Sequence, residues 1–79
     1  MTWTTIFWDD SEGGNVDHIA EHGLRVEDVE QVLENFDRID RSKSSGSIIV
    51  FGWLGSLRIA VVVDEIDDET IVPVTAYEV

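Results

Sequence analysis

Apolar residues recur at helical spacing in two consecutive stretches, and at strand spacing from there to the end of the chain. Val16, Ile19 and Ala20 fall on one side of a first helix, with Asp17, His18 and Glu21 on the other. Val29, Val32, Leu33 and Phe36 form the stripe of a second helix beginning near Val26, whose wet side carries Glu27, Asp28, Glu30, Gln31 and Glu34. Gly23 supplies the left-handed residue that ends many helices and places His22 in the last turn of the first one. Residues 9–14, rich in acids and glycine, make a turn into that helix, with Asn15 as its N-cap.

The flanking segments alternate instead. Residues 4–8 are β-branched and aromatic and read as a short first strand. Residues 38–41 alternate weakly, and residues 42–46 have the composition of a turn. Residues 47–53 and 57–64 are the strongest strands, joined as a hairpin across Leu54, Gly55 and Ser56. In the second, Leu57, Ile59, Val61 and Val63 share one face, and Arg58, Ala60 and Val62 the other. Residues 70–77 form a last strand, where Pro73 implies an edge position or a bulge. The order β-α-α-β-β-β-β predicts one α+β domain over residues 1–79. Two short helices pack on one face of an antiparallel sheet of four to five strands.

Seventy-nine residues bury only about 60% of the unfolded surface, close to the minimum for independent folding. The chain has no cysteine, so neither a disulfide nor a thiolate metal site staples it. The opening residues show no basic and then apolar signal, and residues 48–55 fall far short of the roughly 20 apolar residues of a membrane span. A cytoplasmic protein without membrane contact is the expectation.

Charge changes the picture more than any motif. A formal charge of −12 repels nucleic acid and anionic membranes and favours basic partners. Between Arg38 and Val63, however, Arg38, Arg41, Lys43 and Arg58 face a single acid, Asp40. This basic island leaves room for one small anion-binding patch.

Trp8-Asp9, then Asn15, His22-Gly23-Leu24, Glu27-Asp28-Val29 and Val32-Leu33 resemble the N-terminal half of the BrnT family. These are small ribonuclease toxins of type II toxin–antitoxin systems, distantly related to the RelE-like toxins. The glycine-containing hairpin, the aliphatic strand and the last strand follow in the family's order. The resemblance implies the α+β fold, RNA cleavage without a cofactor, and an antitoxin-like partner. Two departures bear on activity. Glu21 stands where the family carries a lysine before His-Gly, and Tyr77 stands where an arginine follows the alanine of the last strand. The expectation is a toxin-module protein whose RNA cleavage is weakened or lost. The alternative is a non-catalytic module of the same fold that binds a basic protein. Either would be held by its partner or as a homodimer.

Attack by an RNA 2′-hydroxyl needs a base, an acid for the leaving oxygen, and cations against the developing charge. The candidates are His22 as acid or base, Tyr77 as proton donor and Arg58 as cation, with Arg38, Arg41 and Lys43 as an RNA-contacting loop beside Ser42, Ser44 and Ser45. Each has a structural counterpart. His22 caps a helix, Arg58 pairs with an acid on a neighbouring strand, and the loop carries ordinary surface charges. His18 and His22 stand at i and i+4, but no third metal ligand is indicated. Residues 64–69 lack the glycine and terminal glutamate of an EF-hand loop. A DNA-reading second helix is contradicted by Glu27, Asp28, Glu30 and Glu34, which phosphates repel. Trp3, Trp8, Phe51 and Trp53 exceed what so small a core hides, which places one or two of them in an interface.

Overall fold

A computed structural model describes residues 3–41 and 47–79. A two-residue strand β1 (Thr5–Ile6) leads to helices α1 (Asn15–Ala20) and α2 (Val26–Glu34). Strands β2 (Arg38–Arg41), β3 (Ile48–Leu54), β4 (Leu57–Glu65) and β5 (Thr70–Glu78) follow. They form one five-stranded sheet in the order β1-β5-β4-β3-β2, an α+β architecture. The sheet is mixed rather than antiparallel, because β1 runs parallel to β5, with Thr5 opposite Thr70 and Ile6 opposite Ile71. Tight hairpins force antiparallel pairing only between strands adjacent in the chain. The first strand, separated from β5 by the rest of the protein, is free to enter in the other direction.

The hairpin between β3 and β4 is tighter than its composition implied. Leu54 pairs with Leu57, leaving Gly55 and Ser56 as a two-residue loop. Gly55 has φ 63°, the left-handed conformation such turns demand. Along β4 the expected alternation holds: Ile59, Val61 and Val63 are buried in a cluster with Ile48, Val50, Ile71 and Ala76. The helices contribute Ile19, Leu24, Val29, Val32 and Leu33 to the same cluster. Gly52 continues the inward row of β3, and a Cβ there would lie 2.9 Å from Val32 Cγ1 and 3.1 Å from the Val32 carbonyl. The absence of a side chain is what lets α2 rest on the β3 backbone.

Asn15 is not an N-cap. Gly14 occupies that position, and Asn15 is the first helical residue, only 8% exposed. Its side chain ties three segments together. Oδ1 accepts from the Asp9 amide at 2.7 Å, while Nδ2 donates to the carbonyls of Phe7 and Pro73, both at 2.9 Å. Pro73 explains why. The Phe7 amide donates to the Ile71 carbonyl, and the next rung of a parallel ladder would run from the amide of residue 73 to the Phe7 carbonyl. Proline has no N–H, so pairing stops and Asn15 supplies the missing donor. Pro73 also adjoins a bulge, since Val62 pairs with Thr75 and Val63 with Pro73. That leaves Val74 as the extra residue.

Candidate functional site

Arg58 leaves β4 on the face opposite Ile59 and Val61, the face of β3 and β4 away from α2. Its guanidinium Nη1 lies 2.7 Å from Asp37 Oδ2, just before β2. The Arg58 guanidinium also sits 5.2 Å from the Trp53 ring centroid and 5.6 Å from that of Phe51. Arg38 approaches the Phe51 ring at the same 5.6 Å and pairs with Asp40 at 3.0 Å. The arginines and rings therefore form a layered strip, Arg38–Phe51–Arg58–Trp53, edged by two aspartates. Stacking of this kind is worth roughly 0.5–1 kcal/mol per contact at exposed sites. The hydrogen bond from Arg58, with a second from the Trp53 side chain, holds the Asp37 carboxyl below the ordinary carboxylate range. Asp37 in turn raises the affinity of Arg58 for its proton.

Tyr77 lies on β5 opposite Ala60, which stands two residues beyond Arg58 on the same face. The His22 and Tyr77 rings approach to 6.3 Å between centroids, tilted by 53°. His22 thus approaches Tyr77, which shares a sheet face with Arg58, while the Arg58 guanidinium reaches the other way, to Asp37, Phe51 and Trp53. His22 nonetheless has a complete structural role. The Gly23 amide donates to the Ala20 carbonyl and the Leu24 amide to the Ile19 carbonyl, with Gly23 at φ 78° and Leu24 in the core. This double bond pattern with its apolar contact is the Schellman ending of a helix, and His22 stands inside it. His18 is exposed, with Nδ1 3.4 Å from the Val74 carbonyl.

Of the proposed RNA-contacting residues, the two described ones, Arg38 and Arg41, do not share a face. Strand alternation puts Arg38 with the aromatic strip and Arg41 on the other side, where Arg41 Nη1 lies 4.0 Å from Glu65 Oε1. Lys43, with Ser42, Ser44 and Ser45, falls outside the described residues. Arg25 meets Glu27 at 4.0 Å and Asp28 at 3.7 Å. All four arginines are thus matched to carboxylates.

A second feature escaped the sequence reading. Trp3, Thr4, Ile6, Glu30, Leu33 and Glu34 line a cleft of about 260 Å³ between the start of the chain and α2. Trp3 packs on Phe36 at 6.0 Å and donates through Nε1 to Glu65 at 3.3 Å, and Trp8 Nε1 donates to Glu30 at 3.1 Å. The wall is therefore indole and aliphatic, and its rim carries two carboxylates. The only sequence signals for it were Glu30 and Glu34 at i and i+4, and the tryptophans bracketing the first strand.

Compared with protein-family models, with curated proteins and with solved structures, the chain matches none. The functional reading therefore rests on the residues and their geometry.

Proposed function

We propose that this chain is a BrnT-like toxin-module protein that works as a non-catalytic interaction module and binds a basic, antitoxin-like protein. The observation that carries the reading is the engagement of every arginine by a carboxylate in a chain of net charge −12. Phosphoryl chemistry on RNA needs cations free to meet the charge that develops in the transition state. Here Arg58 and Arg38 meet their own aspartates instead. The residues that carry the family resemblance also have packing roles: Asn15 clamps two strands, His22-Gly23-Leu24 closes a helix, and Val29, Val32 and Leu33 fill the core. The cleft beside Trp3 suits a lysine or arginine side chain from the partner. Its indole wall attracts a cation and its two glutamates complement the charge.

The purified chain is expected to bind a lysine- and arginine-rich peptide with an affinity that falls as salt rises. Glu30→Gln with Glu34→Gln is expected to weaken that binding more than Asp67→Asn with Asp68→Asn, which removes the same charge elsewhere. Equal weakening would overturn the cleft assignment, and no binding at low salt would overturn the basic-partner reading.

The second reading, RNA cleavage, is favoured by the approach of His22 to Tyr77 with Arg58 on the same side. Inducing the chain alone in bacteria separates the two readings. The interaction module leaves growth and RNA intact. Growth arrest with cleaved RNA, lost in a folded Arg58→Ala variant, would establish the ribonuclease instead.

A further inference from the structure

We propose that the aromatic face of β2, β3, β4 and β5 is a self-association surface, on which a second copy of this chain packs face to face. Its first support is exposure. Trp53 is 51% exposed, while Ile49, Phe51, Val62 and Tyr77, on the same side, are half-buried. Large apolar side chains on adjacent strands of one open sheet face mark a candidate contact surface.

Charge selects the occupant. This face carries Arg38 and Arg58 against Asp37, Asp40 and Asp64, two positive groups and three negative, a net of −1. Off this face the described residues carry 14 carboxylates against only Arg25 and Arg41. Two copies of so acidic a chain repel each other in every orientation that opposes their other surfaces, and least in the one that opposes these faces. A basic partner is drawn to the opposite surfaces, and an anionic one is repelled by the whole molecule.

Self-complementarity points the same way. A two-fold contact requires one surface to present both members of each interacting pair. This strip presents guanidinium beside carboxylate and guanidinium beside aromatic ring, so each pairing available within the chain is available across a dyad. The extents of 30 × 26 × 25 Å limit any flat face to about 650–780 Å², so a face-to-face contact uses most of the sheet and lies at the small end of specific interfaces.

The signature is an unusual salt dependence. Screening weakens repulsion between the acidic remainders, so self-association strengthens with salt, whereas binding of a basic partner weakens. Sedimentation equilibrium of the intact chain at about 0.05 M and about 0.5 M sodium chloride reads this directly, since the Debye length falls severalfold over that range. A dimer population that grows with salt is expected. Trp53→Glu and, separately, Thr75→Glu place a like charge on the opposed faces and are expected to weaken the dimer by about tenfold or more. Both positions lie off the buried cluster, and far-UV circular dichroism verifies the fold of each variant. A chain that stays monomeric at both salt concentrations overturns the proposal and leaves the face to another occupant. A dimer that dissociates as salt rises, or one that both folded variants leave unchanged, overturns it as well.

Discussion

Replacing Asn15 with alanine removes one side chain and strands three backbone groups. The carbonyls of Phe7 and Pro73 lose their donor and the Asp9 amide loses its acceptor. A buried polar group without a partner costs about 1–3 kcal/mol. The bond to Pro73 is buried and the other two are partly so, which leaves water a route to part of the site. The expected loss is therefore about 2–4 kcal/mol, below the sum of three full penalties. A domain of this length holds only about 4–12 kcal/mol in all, so the melting temperature should fall by roughly 10–25 °C. Thermal and urea denaturation followed by circular dichroism measure both quantities. Asn15→Asp is the sharper form. It keeps the acceptor for Asp9 but turns an oxygen toward two carbonyls, so it should cost more than alanine at neutral pH. It should recover as the pH falls, because burial and the facing carbonyls raise the folded carboxyl pKa and protonation restores a donor. Pro73→Ala completes the test by restoring an amide that can reach the Phe7 carbonyl. The substitution should cost less in the Asn15→Ala background than in the wild type, a coupling that a double-mutant cycle reads. A loss below about 1 kcal/mol for Asn15→Ala, or strict additivity with Pro73→Ala, would refute the interrupted-ladder argument.

Two further outcomes follow from the packing and the ion pairs. Gly52→Ala sets a methyl group 2.9 Å from Val32 Cγ1 and should destabilise by about 1–3 kcal/mol through overpacking, an effect that Val32→Ala in the same chain should partly relieve. The Arg58 pair lowers the folded pKa of Asp37 from its ordinary 3.8, so its stabilisation is complete above that value and is lost as the pH falls through the folded one. Urea midpoints measured down the acid range should show wild type and Arg58→Ala converging there, and parallel curves would contradict the pairing.

The candidate site residues show what local pattern leaves open. His22 and Tyr77 were singled out on separate grounds, and the fold brings their rings to 6.3 Å. The same fold assigns Arg58 to Asp37, a partner 21 residues away that no local pattern specifies. Two members of the basic island, Arg38 and Arg41, are likewise separated. Alternation in a four-residue strand sends Arg38 and Arg41 to opposite sides, and each finds a carboxylate.

Periodicity alone determined the α+β class, both helices, the central hairpin and the inward row of β4. Those features follow from local geometry: side chains repeat every 3.6 or 2 residues, and one face must leave water. Only the tertiary structure decided the parallel entry of β1, the clamp at Asn15, the pairing of Arg58 with Asp37 and of Arg41 with Glu65, and the cleft between Trp3 and α2. Each of these joins groups remote in sequence, where direction and partner are set by the whole packed chain and not by any local repeat.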